Sequence, residues 1–127
     1  MLKKKFCPYC GSVLGRRKVE GRERPFCLPC EVPIYENPVP ASALVVADEA
    51  GRLLLVKRAV EPKAGQWCLP GGFMELGETP EECALRALSE EPGLTGSIEE
   101  LLGVTTNQSQ DYHTVLIMGF LVRDFSG

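Results

Sequence analysis

Two pairs of cysteines near the start of the chain leave its first thirty residues little choice of fold. Cys7-Pro-Tyr-Cys10 and Cys27-Leu-Pro-Cys30 are C-x2-C turns separated by sixteen residues, a spacing at which four thiolates can close around one zinc ion. A segment this short cannot bury enough apolar surface to fold unaided, so metal binding supplies the missing stability. Four thiolates complete a tetrahedron and leave no position for substrate, which makes the expected zinc structural. No secretory leader precedes the cysteines, so the expectation is reduced thiols in a cytoplasmic protein rather than a disulfide framework. Cys68 and Cys83 stand outside the pattern and read as buried free thiols.

Charge sets the same segment apart. Residues 1–30 carry eight basic and two acidic side chains, whereas 31–127 carry six basic and fifteen acidic, within a net charge of −3. Arg16-Arg17-Lys18 with Arg22 and Arg24 offers a surface that nucleic acid could meet. The preferred reading is a solvated basic face packed on the acidic remainder, so nucleic acid is not an expected partner. No apolar run is long enough to span a membrane. With 127 residues and 44% hydrophobic content, the chain allows one small globular domain beyond the zinc module.

Pro33, Pro38 and Pro40 mark a stiff linker over 34–40, which divides a module at 1–33 from a domain at 41–127. Ala41–Ala47 is a continuous apolar run and Asp48–Gly51 a turn, so Arg52–Arg58 is predicted to return as the second strand of a hairpin. Leu101–Thr106 and Thr114–Val122 read as further strands. Between them lies one helix. Thr79, Pro80 and Glu82 form its start signal, a capping box with proline in the first turn, and Pro92-Gly93 ends it. Strands, one helix, then strands indicate an α+β fold with a mixed sheet.

The stretch from Gly72 to Leu94 carries the chemistry. Glu90 and Glu91 at the helix end, fed by a glycine-rich loop bearing Glu75 and Glu78, suit a hard cation such as Mg²⁺ that bridges to substrate phosphates. Gly71 and Gly72 would let the backbone approach metal or phosphate. Arg86 lies four residues before Glu90 and can hold the neighbouring carboxylates. Ala84, Leu85 and Leu88 are expected to face the core. The bland alternative is an acidic, solvated helix face.

These residues resemble a Nudix box, G-x5-E-x7-R-E-U-x-E-E-x-G-U with U a bulky aliphatic. Gly72, Glu78, Arg86, Leu88, Glu90, Glu91, Gly93 and Leu94 match it at the right spacing. The departure is Ala87, where the family has a glutamate that serves in some members as metal ligand or as base for the attacking water. Pro92 is a second irregularity, expected to bias Glu91 away from helical geometry. The resemblance extends outward: the four-cysteine ribbon, the Tyr35–Pro38 linker, Val56-Lys57-Arg58 and the GQWCLPGGFME run at 65–75 are similar to the zinc-ribbon branch of Nudix hydrolases, which includes NADH, FAD and ADP-ribose pyrophosphatases.

That resemblance implies a mixed sheet between helices and hydrolysis of a nucleoside diphosphate linked to another group, with the small-molecule nucleotide as partner. It implies Mg²⁺ or Mn²⁺ on Glu78, Glu90, Glu91 and the Gly72 carbonyl, with Arg86 orienting Glu78 and Glu90. Arg58 is a candidate for phosphate, and Trp67 and Tyr112 for the base, although a core position is the commoner fate of a tryptophan. With Ala87 unable to act, Asp111 and Glu75 are the acids left as candidates for the base. His113, the sole histidine, reads as structural or pocket-lining. The chain stops soon after the last strand, so an apolar sheet face or edge is expected to stay open and favour pairing of two copies. Two other readings stand beside the hydrolase: an impaired Nudix domain that binds a nucleotide or protein, and a zinc-ribbon nucleic-acid binder.

Overall fold

The computed structural model describes residues 3–59, 63–109 and 112–127. The first thirty-odd residues form a small antiparallel sheet of β1 (Gly15–Val19), β2 (Arg22–Cys27) and β3 (Val32–Pro33) in that order. Its interior is slight: Cys7, Cys27 and Ile34 are buried, with Leu14, Cys30 and Val32 packed against them. So few apolar side chains leave the four cysteines as the natural tie between the two turns.

The larger body is a four-stranded sheet in the order β7-β4-β10-β9. Its strands are β4 (Val39–Val46), β7 (Gly71–Phe73), β9 (Glu100–Ser109) and β10 (His113–Val122). β4 runs parallel to β10, and the other two pairings are antiparallel, so the sheet is mixed. Helix α1 (Pro80–Glu90) packs on one face. Alternate residues Ser42, Leu44 and Val46 of β4 point at it, as the two-residue period of a strand requires. Leu44, Val46, Phe120 and Val122 of the sheet meet Ala84, Ala87 and Leu88 of the helix in one buried cluster. Leu85 packs at its margin. Two short pairs complete the body: β5 (Val56–Lys57) with β6 (Trp67–Cys68), and β8 (Thr95–Ser97) with β11 (Asp124–Ser126).

The helix start follows the sequence closely. Thr79 accepts from the Glu82 amide at 3.1 Å while Glu82 accepts from the Thr79 amide at 3.1 Å, and both bonds satisfy donors that the first turn leaves free. Its end differs from expectation. Glu91 keeps right-handed helical angles, φ −85° and ψ −68°, and donates to the Ala87 carbonyl at 3.2 Å. Pro92 disfavours that conformation but does not forbid it. The reversal comes two residues later, at Gly93 with φ 72°, after which Leu94 donates to the Leu88 carbonyl at 3.0 Å.

The expected hairpin partner is split. Ala47 and Leu53 form one bridge, and Leu54 donates to Val46 at 2.9 Å, but Val56–Lys57 then pairs with Trp67–Cys68 instead. Val39 and Pro40, placed in the linker by their prolines, already belong to β4 opposite Val115 and Leu116. β9 is longer than 101–106 and lies at the sheet edge, with Leu101, Leu102 and Val104 exposed. Among the described residues no helix is long and apolar enough to cross a membrane.

Candidate active site and cysteine cluster

The site is built where β7 lies against β4 and the end of α1. Gly71 pairs with Ala43, and a Cβ on it would meet the Ser42 carbonyl oxygen at 2.3 Å. Its missing side chain is therefore used for strand packing. Gly72 has open space where a Cβ would stand, and its carbonyl accepts from Cys83 Sγ at 3.5 Å. Cys83 is buried as expected, while Cys68 is half-buried.

Arg86 is the hub. Its Nε donates to Glu78 Oε2 at 2.6 Å and its Nη2 to Glu78 Oε1 at 3.0 Å. Nη2 also donates to the Phe73 carbonyl at 2.9 Å, and Nη1 to Glu90 Oε2 at 3.1 Å. One planar guanidinium thus ties the loop, strand β7 and the helix end together. Glu78 further accepts from the Glu75 amide at 2.8 Å. The Arg86 hydrogen bonds, helped by that amide, hold the Glu78 carboxyl down at about 2. Arg86 is raised in turn, chiefly by Glu78. Glu91 reaches the other way, accepting from the Gly71 amide at 3.2 Å.

The donor set fits a hard divalent cation in kind, since Glu78, Glu90, Glu91 and the Gly72 carbonyl all offer oxygen. The carboxylates are spread among Arg86 and backbone amides rather than drawn into one knot. Among the described residues only the four cysteines form a group of three or more such donors within 4.8 Å. Ala87 is 3% exposed and belongs to the helix–sheet core; its methyl group can neither ligate nor accept a proton.

The remaining candidates fall around this centre unevenly. Tyr112 stacks on Phe73, ring centroids 4.7 Å apart and planes at 49°, so it stands beside the strand whose carbonyl Arg86 holds. Phe73 was not singled out by the sequence, because its partner lies thirty-nine residues away. Trp67 is not a core residue: it is 65% exposed, with Lys57 Nζ 5.9 Å above its ring. Arg58 is half-buried on the same arm, its amide donating to Gln66 at 2.9 Å. His113, the first residue of β10 at φ 62°, lies with its Nε2 3.4 Å from a buried Glu36 oxygen in the segment before β4. Asp111 lies outside the described residues.

In the small sheet, the Sγ atoms of Cys7, Cys10, Cys27 and Cys30 lie within 4.8 Å of one another, and those of Cys10 and Cys27 are 3.5 Å apart. Hydrogen bonding to Ser12 lowers the Cys10 thiol to about 6, while Cys10 and Cys27 push Cys30 up to about 12. Sulfurs this close oppose one another's ionisation, and a divalent metal is the charge that lets all four become thiolates. The cluster could hold such an ion.

The sequence profile of the NUDIX domain matches residues 37–127. The chain belongs to the NUDIX domain family. It is similar to the ADP-ribose pyrophosphatase of Methanocaldococcus jannaschii, 35% identical over 94 residues, covering 74% of this chain and 55% of the relative. It is also similar to the NAD-capped RNA hydrolase NudC of Vibrio atlanticus, 29% identical over 124 residues, or 97% of this chain and 43% of the relative. A crystal structure of a NUDIX hydrolase from Nitrosomonas europaea superposes with a TM-score of 0.75 at 31% identity, covering 95% of this chain and 69% of that one. The chain spans about half the length of these two curated relatives. Within the NUDIX fold, Arg86 and its carboxylates occupy the segment where the sequence most closely follows the family box.

Proposed function

We propose that this NUDIX protein hydrolyses the diphosphate bridge of a nucleoside diphosphate linked to a second group, in the class of FAD, NADH or ADP-ribose. The observation that carries the reading is the Arg86 clamp on Glu78 and Glu90, set beside Glu91 and Gly72 on the strand that Arg86 also holds. The relatives named for ADP-ribose and NAD-capped RNA support the substrate class.

A magnesium or manganese ion held by Glu78, Glu90, Glu91 and the Gly72 carbonyl would neutralise the diphosphate and acidify the attacking water. Arg86 positions Glu78 and Glu90, and its hydrogen bonds keep Glu78 ionised at neutral pH. Phe73 and Tyr112 offer aromatic faces on one side of the site, and exposed Trp67 with Lys57 and Arg58 offers a second arm for base or phosphate. The four cysteines hold a structural zinc, residues 1–33 serving as a module and 41–127 as the catalytic domain. The exposed β9 edge is where two copies would pair.

Burial of Ala87 favours a second reading, a slow or binding-only NUDIX domain. Release of AMP from FAD, NADH or ADP-ribose in the presence of Mg²⁺ or Mn²⁺ supports the hydrolase; saturable nucleotide binding without AMP release would transfer support to the second reading.

A further inference from the structure

The register of the β1–β2 hairpin sorts its charges by face. Arg17 stands opposite Arg24 and Val19 opposite Arg22; paired residues share a face and alternate residues return to it. Arg17, Arg22 and Arg24 therefore lie on one side. Lys18 and Glu23 are paired on the other, and Arg16 shares that side, with its Nε 3.8 Å from Glu23.

The three-arginine face adjoins two aromatic rings, buried Phe26 and exposed Tyr35. Arg17 lies 4.0 Å from the Phe26 ring centroid and Arg24 5.0 Å from that of Tyr35. Lys4 Nζ donates to the Tyr35 carbonyl at 3.0 Å. Tyr35 hydroxyl donates to Glu20, which fixes the ring's orientation. Tyr35 and Tyr9 are 42% and 79% exposed, and with Val32, Pro33 and Cys30 they line a hollow of about 540 Å³. This hollow belongs to the cysteine-bearing sheet and includes none of the box residues.

We propose that this face binds single-stranded nucleic acid, with Tyr9 and Tyr35 stacking bases and Arg17, Arg22 and Arg24 meeting phosphates. Aromatic platforms beside a positive track are the combination that holds a flexible polyanion with flat bases. Charge complementarity selects a polyanion, and the apolar, aromatic hollow selects one whose charges alternate with stacking groups. Sequence alone favoured a merely solvated basic surface; the segregation of three arginines onto the tyrosine side is what the structure adds. The inference goes beyond the hydrolytic reading and does not depend on it, because binding needs neither the box nor turnover.

The test is fluorescence anisotropy of a labelled single-stranded RNA of about twelve nucleotides, titrated with the zinc-loaded full chain at several salt concentrations. Binding should weaken steeply with salt. Tyr9→Ala should weaken it about tenfold, while Tyr9→Phe, which keeps the ring, retains the affinity. Arg22→Gln should lower the logarithmic salt slope by about 0.7, and Arg16→Gln on the opposite side should leave it nearly unchanged. Zinc content of each variant shows that the module is folded. Absent or salt-insensitive binding, an Arg16 effect equal to that of Arg22, or equal affinity for a glutamate-rich peptide of the same charge would overturn the proposal.

Discussion

Arg86 grips Glu78 through two hydrogen bonds, 2.6 Å from Nε and 3.0 Å from Nη2, across eight residues of sequence. The pair closes the loop before the helix onto the helix itself, so the loop's carboxylate is positioned before any substrate arrives. Arg86→Lys retains charge but not the fork. It should lower kcat of AMP release by one to two orders of magnitude, an estimate based on pre-organised polar contacts, with a smaller change in KM. An unchanged kcat would remove Arg86 from its positioning role.

The same pair makes a prediction about acid. Glu78 has its folded-state value held at about 2 against an ordinary 4.5, so its contribution to stability is present above pH 4.5. That contribution is lost as pH falls from there through about 2. Urea midpoints measured between pH 6 and pH 3 should fall more steeply for the native protein than for Glu78→Gln, which has no proton to take up there. Parallel curves would contradict the assignment.

Gly71 and Gly72 should respond differently to the same change. A methyl group at 71 meets the Ser42 carbonyl at 2.3 Å, and the clash also displaces the amide that holds Glu91. Gly71→Ala should lower stability by about 1–3 kcal/mol, in the range for overpacking, and reduce activity with it. At 72 the space is open, so Gly72→Ala should change stability by about 1 kcal/mol or less. Chemical denaturation of the two variants side by side checks the order.

Removing the zinc proposed for the cysteine cluster should unfold the N-terminal sheet and spare the larger body. Among the described residues the small sheet buries only Cys7, Pro25, Phe26, Cys27 and Ile34, whereas the helix–sheet core rests on Leu44, Val46, Leu88, Phe120 and Val122. A strong chelator, or Cys27→Ser, should abolish amide-exchange protection in 15–33 and retain it in β4 and β10. Equal loss in both would show that the two parts fold as one unit.

Much of the helix and its surroundings was legible because the determinants are local. The Thr79–Glu82 box, the Arg86–Glu90 spacing and the cysteine pairs act over three to four residues, and their chemistry restricts the backbone directly. What the sequence left open depends on distant partners. Val56–Lys57 could extend the hairpin with β4 or pair with Trp67–Cys68, and no local preference chooses between them. Tyr112, just before β10, reaches Phe73 of β7 only through the three-dimensional fold. The burial of Ala87 and the use of Gly71 against Ser42 are likewise facts of packing. Pro92 does not turn Glu91 out of helical geometry, since one disfavoured residue is carried by the helix–sheet core behind it.

The central claim is metal-assisted cleavage of a diphosphate by the carboxylates around Arg86, and its most direct measurement is AMP release from ADP-ribose as Mg²⁺ is titrated, in the native protein and in Glu90→Gln/Glu91→Gln. The account predicts metal-dependent release by the native protein, with the double variant slower by about a hundredfold or more, as expected for lost metal ligation. No release with Mg²⁺ or Mn²⁺, or equal rates for the two proteins, would contradict it.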